Sequence, residues 1–298
     1  MRTGILILPE KRWPEAVHQW RTVDELGFDS AWTYDHLSWR GLQDGAWFST
    51  FPVLTAAALS TRRVTLGTLV TSPNFRHPVT AAKDAIAVDD ISGGRFVLGI
   101  GAGSIGAGDS DVITQQAFTR RERTERFEEF VELTDTLLRE PITMHRGTHF
   151  SAHEARMIPG CVQRPRLPLA IAATGPRGLA LAARYGQAWV TVGPTDWAKG
   201  FTSDECLEAV TTQVVALHEA CARVDRNASE IDRVFVVTDQ AGDFLKSPGS
   251  FLRKAELYAR VGITHLVLHW PRKEGMYAAD PDILHRIASE TLPMVQQL

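Results

Sequence analysis

Cysteine is scarce: Cys161, Cys206 and Cys221 are odd in number, far apart and never spaced as Cys-x-x-Cys. That argues against a disulfide framework and a thiolate metal centre and fits a reducing cytoplasm. An excess of one charge is also missing, because Lys+Arg 32 against Asp+Glu 35 leaves a formal −3. The densest arginine run, Arg120, Arg121, Arg123 and Arg126, alternates with Glu122, Glu125, Glu128 and Glu129. This reads as a solvated helix face, so nucleic acid is not an expected partner. No apolar run approaches the roughly 20 residues of a membrane span. Ile5-Leu6-Ile7-Leu8 is shorter than the roughly 7–15-residue core of a signal peptide, so a cytoplasmic location is expected. No Pro/Gly/Ser-rich linker or low-complexity stretch divides the chain, and residues 1–298 are expected to form one domain.

What is present is an alternation. Apolar, β-branched runs bounded by Gly, Pro or Asp predict strands over Thr3–Pro9, Phe28–Asp35, Val64–Ser72, Arg95–Gly103, Leu167–Thr174, Ala188–Gly193, Arg233–Asp239 and His265–Trp270. Helical spacing predicts helices over Pro14–Leu26, Phe51–Ser60, Val79–Ile91, Thr119–Arg139, Arg177–Tyr185, Asp204–Arg223, Ser250–Val261 and Pro281–Gln297. Pro14, Pro52, Pro78 and Pro281 stand near helix starts, and Gly27, Gly186 and Gly262 just past helix ends. Continuous apolar strands such as Phe96-Val97-Leu98 imply a parallel sheet covered on both faces. Eight such units in about 250 residues predict a (β/α)₈ TIM barrel, whose active site lies at the C-terminal strand ends. Two doubly wound domains are the alternative. The surplus segments, about 37–50 and 142–166, predict loops or short hairpins, the second inserted between the fourth helix and the fifth strand.

Polar residues cluster at those strand ends. Asp35-His36 closes the second strand, where a histidine can transfer a proton near neutral pH while Asp35 either fixes its tautomer or holds the loop, or the pair merely caps the strand. Thr68, Thr71 and Ser72 end the third strand, leaving room for a flat ligand. Gly101, Gly103 and Gly106 spell G-x-G-x-x-G, but Ala107–Asp111 reads as a loop rather than the helix a dinucleotide fingerprint requires. What remains is bare backbone that lets a ring or an anion approach. Thr174-Gly175-Pro176-Arg177-Gly178 opens a helix and reads as a phosphate seat, or as a plain Thr-Gly-Pro helix entry. His145, His149 and His153 recur every four residues, but Gly147, Ile142, Thr143, Thr148 and Phe150 predict a hairpin, so no metal is expected. His265 and His269 share one side of the last strand and either line a pocket or pack. Trp39, Trp47, Trp197 and Trp270 read as pocket walls or loop anchors.

Jointly, Gly27-Phe28-Asp29-Ser30-Ala31-Trp32, Asp35-His36, Gly67 to Arg76, Asp90 to Gly103 and Ala172-Ala173-Thr174-Gly175-Pro176 resemble the luciferase-like superfamily of flavin- and deazaflavin-dependent oxidoreductases, over most of the chain. The resemblance implies a barrel that holds FMN or coenzyme F420 at the strand mouths, the cofactor carrying the hydride chemistry. In the deazaflavin branch an Asp-His pair and a nearby tryptophan sit at the ring, which implies catalytic roles for Asp35, His36 and Trp39 and favours F420, with FMN-dependent monooxygenation as the alternative. The branch also implies a non-proline cis peptide, here Leu69-Val70, with Ser72 beside the cofactor. The implied binding set is Leu69, Val70, Ser72, Gly101, Ala102 and Gly103 at the ring, and Ala173, Thr174, Gly175, Arg177 and Gly178 at the phosphate.

One position departs from the pattern. Sugar-phosphate dehydrogenases of this branch follow Gly-x-Gly with a catalytic Glu, where this chain has Ser104, which argues against that activity and places Ser104 and Asp109 at the rim of a more open pocket. The expected partners are a small organic substrate, a separate flavin or F420 reductase, and a second copy of the chain, since Thr119–Arg139 is long and amphipathic enough to form a homodimer or higher oligomer. A catalytically degenerate cofactor-binding barrel is the reading from another class. A hydrolase built on Asp35 and His36 would leave the glycine-rich fourth strand unexplained.

Overall fold

The computed structural model describes residues 1–103, 108–114, 118–196 and 199–298. Ser104, Gly106 and Trp197, singled out above, lie outside the described residues. In chain order the strands are β1 Arg2–Leu6, β2 Ser30–Thr33, β3 Thr65–Thr68, β4 Phe96–Gly101, β5 Ile142–Arg146, β6 Ser151–Arg156, β7 Leu169–Ala172, β8 Ala188–Thr191, β9 Asp232–Val236 and β10 His265–His269. The helices are α1 Trp13–Glu25, α2 Thr50–Ser60, α3 Pro78–Ser92, α4 Ser110–Thr114, α5 Arg120–Arg139, α6 Pro176–Tyr185, α7 Ser203–Ala222, α8 Pro248–Arg260, α9 Ile283–Glu290 and α10 Leu292–Val295.

The strand order β1-β10-β9-β8-β7-β4-β3-β2 closes on itself as a barrel, and each neighbouring pair is parallel. This is the (β/α)₈ TIM barrel the alternation predicts, not two doubly wound sheets. Side chains alternate between two cores, as the strand period requires. Leu6, Trp32, Val190, Val234 and Val267 fill the interior, whereas Ile5, Ala31, Leu98, Phe235 and Leu266 pack beneath the helices. Trp32 needs the room that Gly67 leaves, since a Cβ at Gly67 would overlap its ring. The two longest helices start with capping boxes, Thr119 with Glu122 on α5 and Thr202 with Glu205 on α7, each satisfying otherwise unpaired backbone donors. No described helix is long and apolar enough to cross a membrane.

The insertion before β7 is the predicted hairpin: β5 and β6 pair antiparallel. His145 lies on β5, His153 on β6 and His149 in the turn between them. Three expectations are corrected. The first strand stops at Leu6 rather than Pro9; Ile7 and Leu8 stay buried beyond it, which is why they read as strand. The closing helix over Pro281–Gln297 is two helices, α9 and α10, because Pro293 cannot donate the hydrogen bond that would carry one into the other. Of the loop predicted over Ala107–Asp111, Ala107 lies outside the described residues and the short helix α4 begins at Ser110. The 37–50 segment carries a single 3₁₀ turn, Arg40–Leu42, and no strand among the described residues.

Candidate active site

Asp35 and His36 follow β2 and serve different structures. Asp35 is 1% exposed; it takes Arg76 through Nε at 2.6 Å and Nη2 at 2.7 Å and accepts the Thr71 hydroxyl at 2.9 Å. It therefore ties the end of β2 to the segment after β3 and does not reach the imidazole. Of the two roles the sequence leaves open to Asp35, fixing the His36 tautomer or holding the loop, it has the second. The carboxylate on His36 Nδ1 is that of Asp109, at 2.7 Å, and its second oxygen accepts the Leu37 N–H at 2.9 Å. Asp109 is 2% exposed, so it stands behind His36 rather than at the pocket rim.

Trp39 is buried and does not line the cavity described below. Its ring stacks on Tyr34 at 5.2 Å and on Trp47 at 6.2 Å, and the Trp47 indole donates to the His36 carbonyl at 2.9 Å. Trp270 packs against the core. The described loop tryptophans are thus anchors rather than pocket walls. His265 packs as well, whereas His269, though buried, borders a second cavity of about 500 Å³ together with Val237, Asp239 and Tyr277. His269 Nδ1 lies 2.9 Å from the Val237 carbonyl, which can only accept, so Nδ1 carries the hydrogen and Nε2 accepts the Tyr34 hydroxyl at 2.7 Å. Burial lowers the pKa of each histidine to about 3.

At the C-terminal strand ends lies a cavity of about 790 Å³. It is lined by His36, by Leu69, Val70 and Ser72 after β3, and by Gly101, Ala102 and Gly103 on β4 and just beyond it. On its other side stand Ala173, Thr174, Gly175, Arg177 and Gly178, where β7 passes into α6. Every residue expected to hold a cofactor thus borders one space. The Leu69-Val70 peptide is cis. The glycines do not simply bare the backbone: a Cβ on Gly101 would come within 2.5 Å of Val70 Cγ2, and one on Gly103, at φ +70, would overlap Ser72 Oγ and Asn74 Nδ2. They make room first for the chain leaving β3.

The arginine run of α5 does not simply face solvent. Arg120, Arg121, Thr124 and Phe127 line the cavity, while Arg123 donates to the Gly103 carbonyl at 2.9 Å and Arg126 to that of Pro73 at 3.1 Å. The recurrence of Arg120, Thr124 and Phe127 on one helical face is the signal that could have found them. Arg177, expected to help with a phosphate, is ion-paired with Glu128 of α5. Among the described residues no side chain caps the first turn of α6, which leaves the Arg177 and Gly178 amides there without a partner, and no lining residue is acidic. Donors at one end and apolar walls at the other fit a flat ring carrying a phosphate arm.

Residues 1–236 match the luciferase-like monooxygenase family. A 4-hydroxyprotoasukamycin monooxygenase from Streptomyces nodosus subsp. asukaensis is 36% identical over 57% of this chain, though the match spans only 45% of that relative. An F420-dependent glucose-6-phosphate dehydrogenase from Beutenbergia cavernae is 28% identical over 92% of this chain and 91% of its own length. Among solved structures, an F420-dependent secondary alcohol dehydrogenase superposes with a TM-score of 0.82 at 18% identity, covering 99% of this chain and 98% of the other, a likeness of fold. With that profile matched across most of its length, the chain belongs to the luciferase-like monooxygenase family.

Proposed function

We propose that this chain is an oxidoreductase that uses F420 for hydride transfer to or from a small organic substrate. The observation that carries the reading is the single cavity that brings His36, the Leu69–Ser72 segment, Gly101–Gly103 and the uncapped start of α6 together. The relative that matches nearly end to end carries F420 dependence in its name. A deazaflavin held here would supply or accept the hydride. Leu69, Val70, Ser72 and Gly101–Gly103 would flank its ring, and Thr174, Gly175 and the Arg177 and Gly178 amides would receive its phosphate. His36 is the one imidazole among the described lining residues, so it takes the substrate's proton or returns it. The apolar walls limit water around the reacting atoms.

The second reading, monooxygenation with reduced FMN and oxygen, is favoured by the relative named a monooxygenase. We also take the chain to act in the cytoplasm as a homodimer or higher oligomer, supplied by a separate cofactor reductase. Tryptophan-fluorescence titration with F420 and FMN side by side tests the reading. Tight binding of F420 alone supports it, preference for FMN moves the assignment to monooxygenation, and binding of neither returns the chain to a catalytically degenerate barrel.

A further inference from the structure

His36 is held from three directions. Its carbonyl accepts the Trp47 indole N–H at 2.9 Å, the N–H of the next residue reaches Asp109 Oδ1 at 2.9 Å, and its ring Nδ1 meets Asp109 Oδ2 at 2.7 Å. Asp109 comes from the segment entering α4, 73 residues along the chain from His36, and is 2% exposed. An ionised carboxylate can only accept, so Nδ1 must be the donor. The remaining nitrogen, Nε2, has no partner among the described residues, and the ring borders the cavity.

We propose that Asp109 is the positioning residue of this site: it fixes His36 as the Nδ1–H tautomer and presents Nε2 to the cavity as the atom that accepts or returns the proton. The assignment of a proton-transfer role to that atom rests on the oxidoreductase reading above; the tautomer does not. Two bonds from one carboxylate, one to the ring and one to the adjoining backbone, leave the imidazole little freedom to flip, so the lone pair stays directed at bound substrate. An amide in place of the carboxylate can donate to Nδ1 and so stabilise the opposite tautomer, whose Nε2 is already protonated and cannot act as a base. Asp35, adjacent in sequence, cannot substitute because Arg76 and Thr71 occupy it.

The test is histidine ¹⁵N NMR of the protein without cofactor, the His36 signals being those absent from His36→Gln. The expected result is Nδ1–H in the natural chain, Nε2–H in Asp109→Asn, and return of Nδ1–H in Asp109→Glu, with F420 affinity in Asp109→Asn within about threefold of the natural chain, well under one factor of ten. Nε2–H in the natural chain overturns the proposal without recourse to any variant, which covers the case that Asp109→Asn fails to fold. An unchanged tautomer in a folded Asp109→Asn, with or without a loss of F420 binding, also overturns it and reduces Asp109 to a loop brace. If the natural chain shows Nδ1–H and does not bind F420, the tautomer assignment stands and the cofactor reading falls.

Discussion

Val70 occupies the space that a side chain on Gly101 would need, its Cγ2 lying 2.5 Å from where a Cβ would sit. Overfilling a packed site costs about 1–3 kcal/mol. Gly101→Ala should therefore lower the urea midpoint and weaken F420 binding together, and adding Val70→Ala should restore part of the stability. Strict additivity of the two substitutions, read from a double-mutant cycle, would show that the contact is not what requires glycine.

The Asp35–Arg76 pair is a stability element. Removing one partner of a buried ion pair leaves a charge uncompensated, at a cost of about 3 kcal/mol or more. Arg76→Met is expected to lower stability by that order while leaving the His36 tautomer in place. Denaturation melts with histidine NMR check both halves. A fully stable Arg76→Met would show that solvent reaches Asp35 once the partly exposed arginine is gone.

His36→Ala should reduce F420-dependent turnover by about 10²–10⁴, the usual contribution of a positioned acid or base, with little change in F420 affinity. Stopped-flow cofactor oxidation across a panel of alcohols and carbonyl compounds measures it. Undiminished turnover would remove His36 from the chemistry.

Acid should weaken the fold early. Burial holds His265 and His269 down to about 3, so both stay neutral in the folded chain where unfolded histidines, near 6.5, take up protons. The unfolded state then binds more protons as pH falls below about 6.5, and stability declines with a limiting slope of about two protons. His77, also lowered by burial, acts in the same direction. Urea midpoints between pH 7 and pH 5 should show the decline, and His269→Gln should remove about one proton from the slope. A flat profile would mean that neither histidine is desolvated.

Arg120 and Arg121 border the cavity beside the start of α6. Replacing both with Ala should weaken F420 binding by about tenfold at low salt and less at high salt, because charges at an open mouth are screened. Titrations at two ionic strengths decide it, and equal loss at both would point to packing rather than charge.

The barrel is legible in the sequence because its strands are buried on both faces and therefore apolar throughout, as in Leu266-Val267-Leu268. The residues around the cavity are legible for a related reason: they lie at the ends of those strands, so finding the strand finds the site. Relationships across the mouth are less so. Asp109 stands 73 residues from His36, and the sequence offers Asp35 as the nearer candidate. Nothing local to Asp35 reveals that Arg76 will claim it. The α5 arginines misled for another reason: alternation with glutamate looks the same whether a helix face meets bulk water or an open cavity. The glycines of β4 likewise point to close approach without saying whether a ligand or the neighbouring chain does the approaching.

Two consecutive residues at the end of β2 answer to different masters. Asp35 locks the scaffold through Arg76, and His36 faces the ligand space. Chemistry and architecture are thereby separable one residue apart: position 36 can be exchanged for another proton-handling or inert side chain while position 35 keeps the end of β2 tied to the segment after β3. A lineage, or an engineer, can retune the reaction here by changing a single codon without re-solving the folding problem.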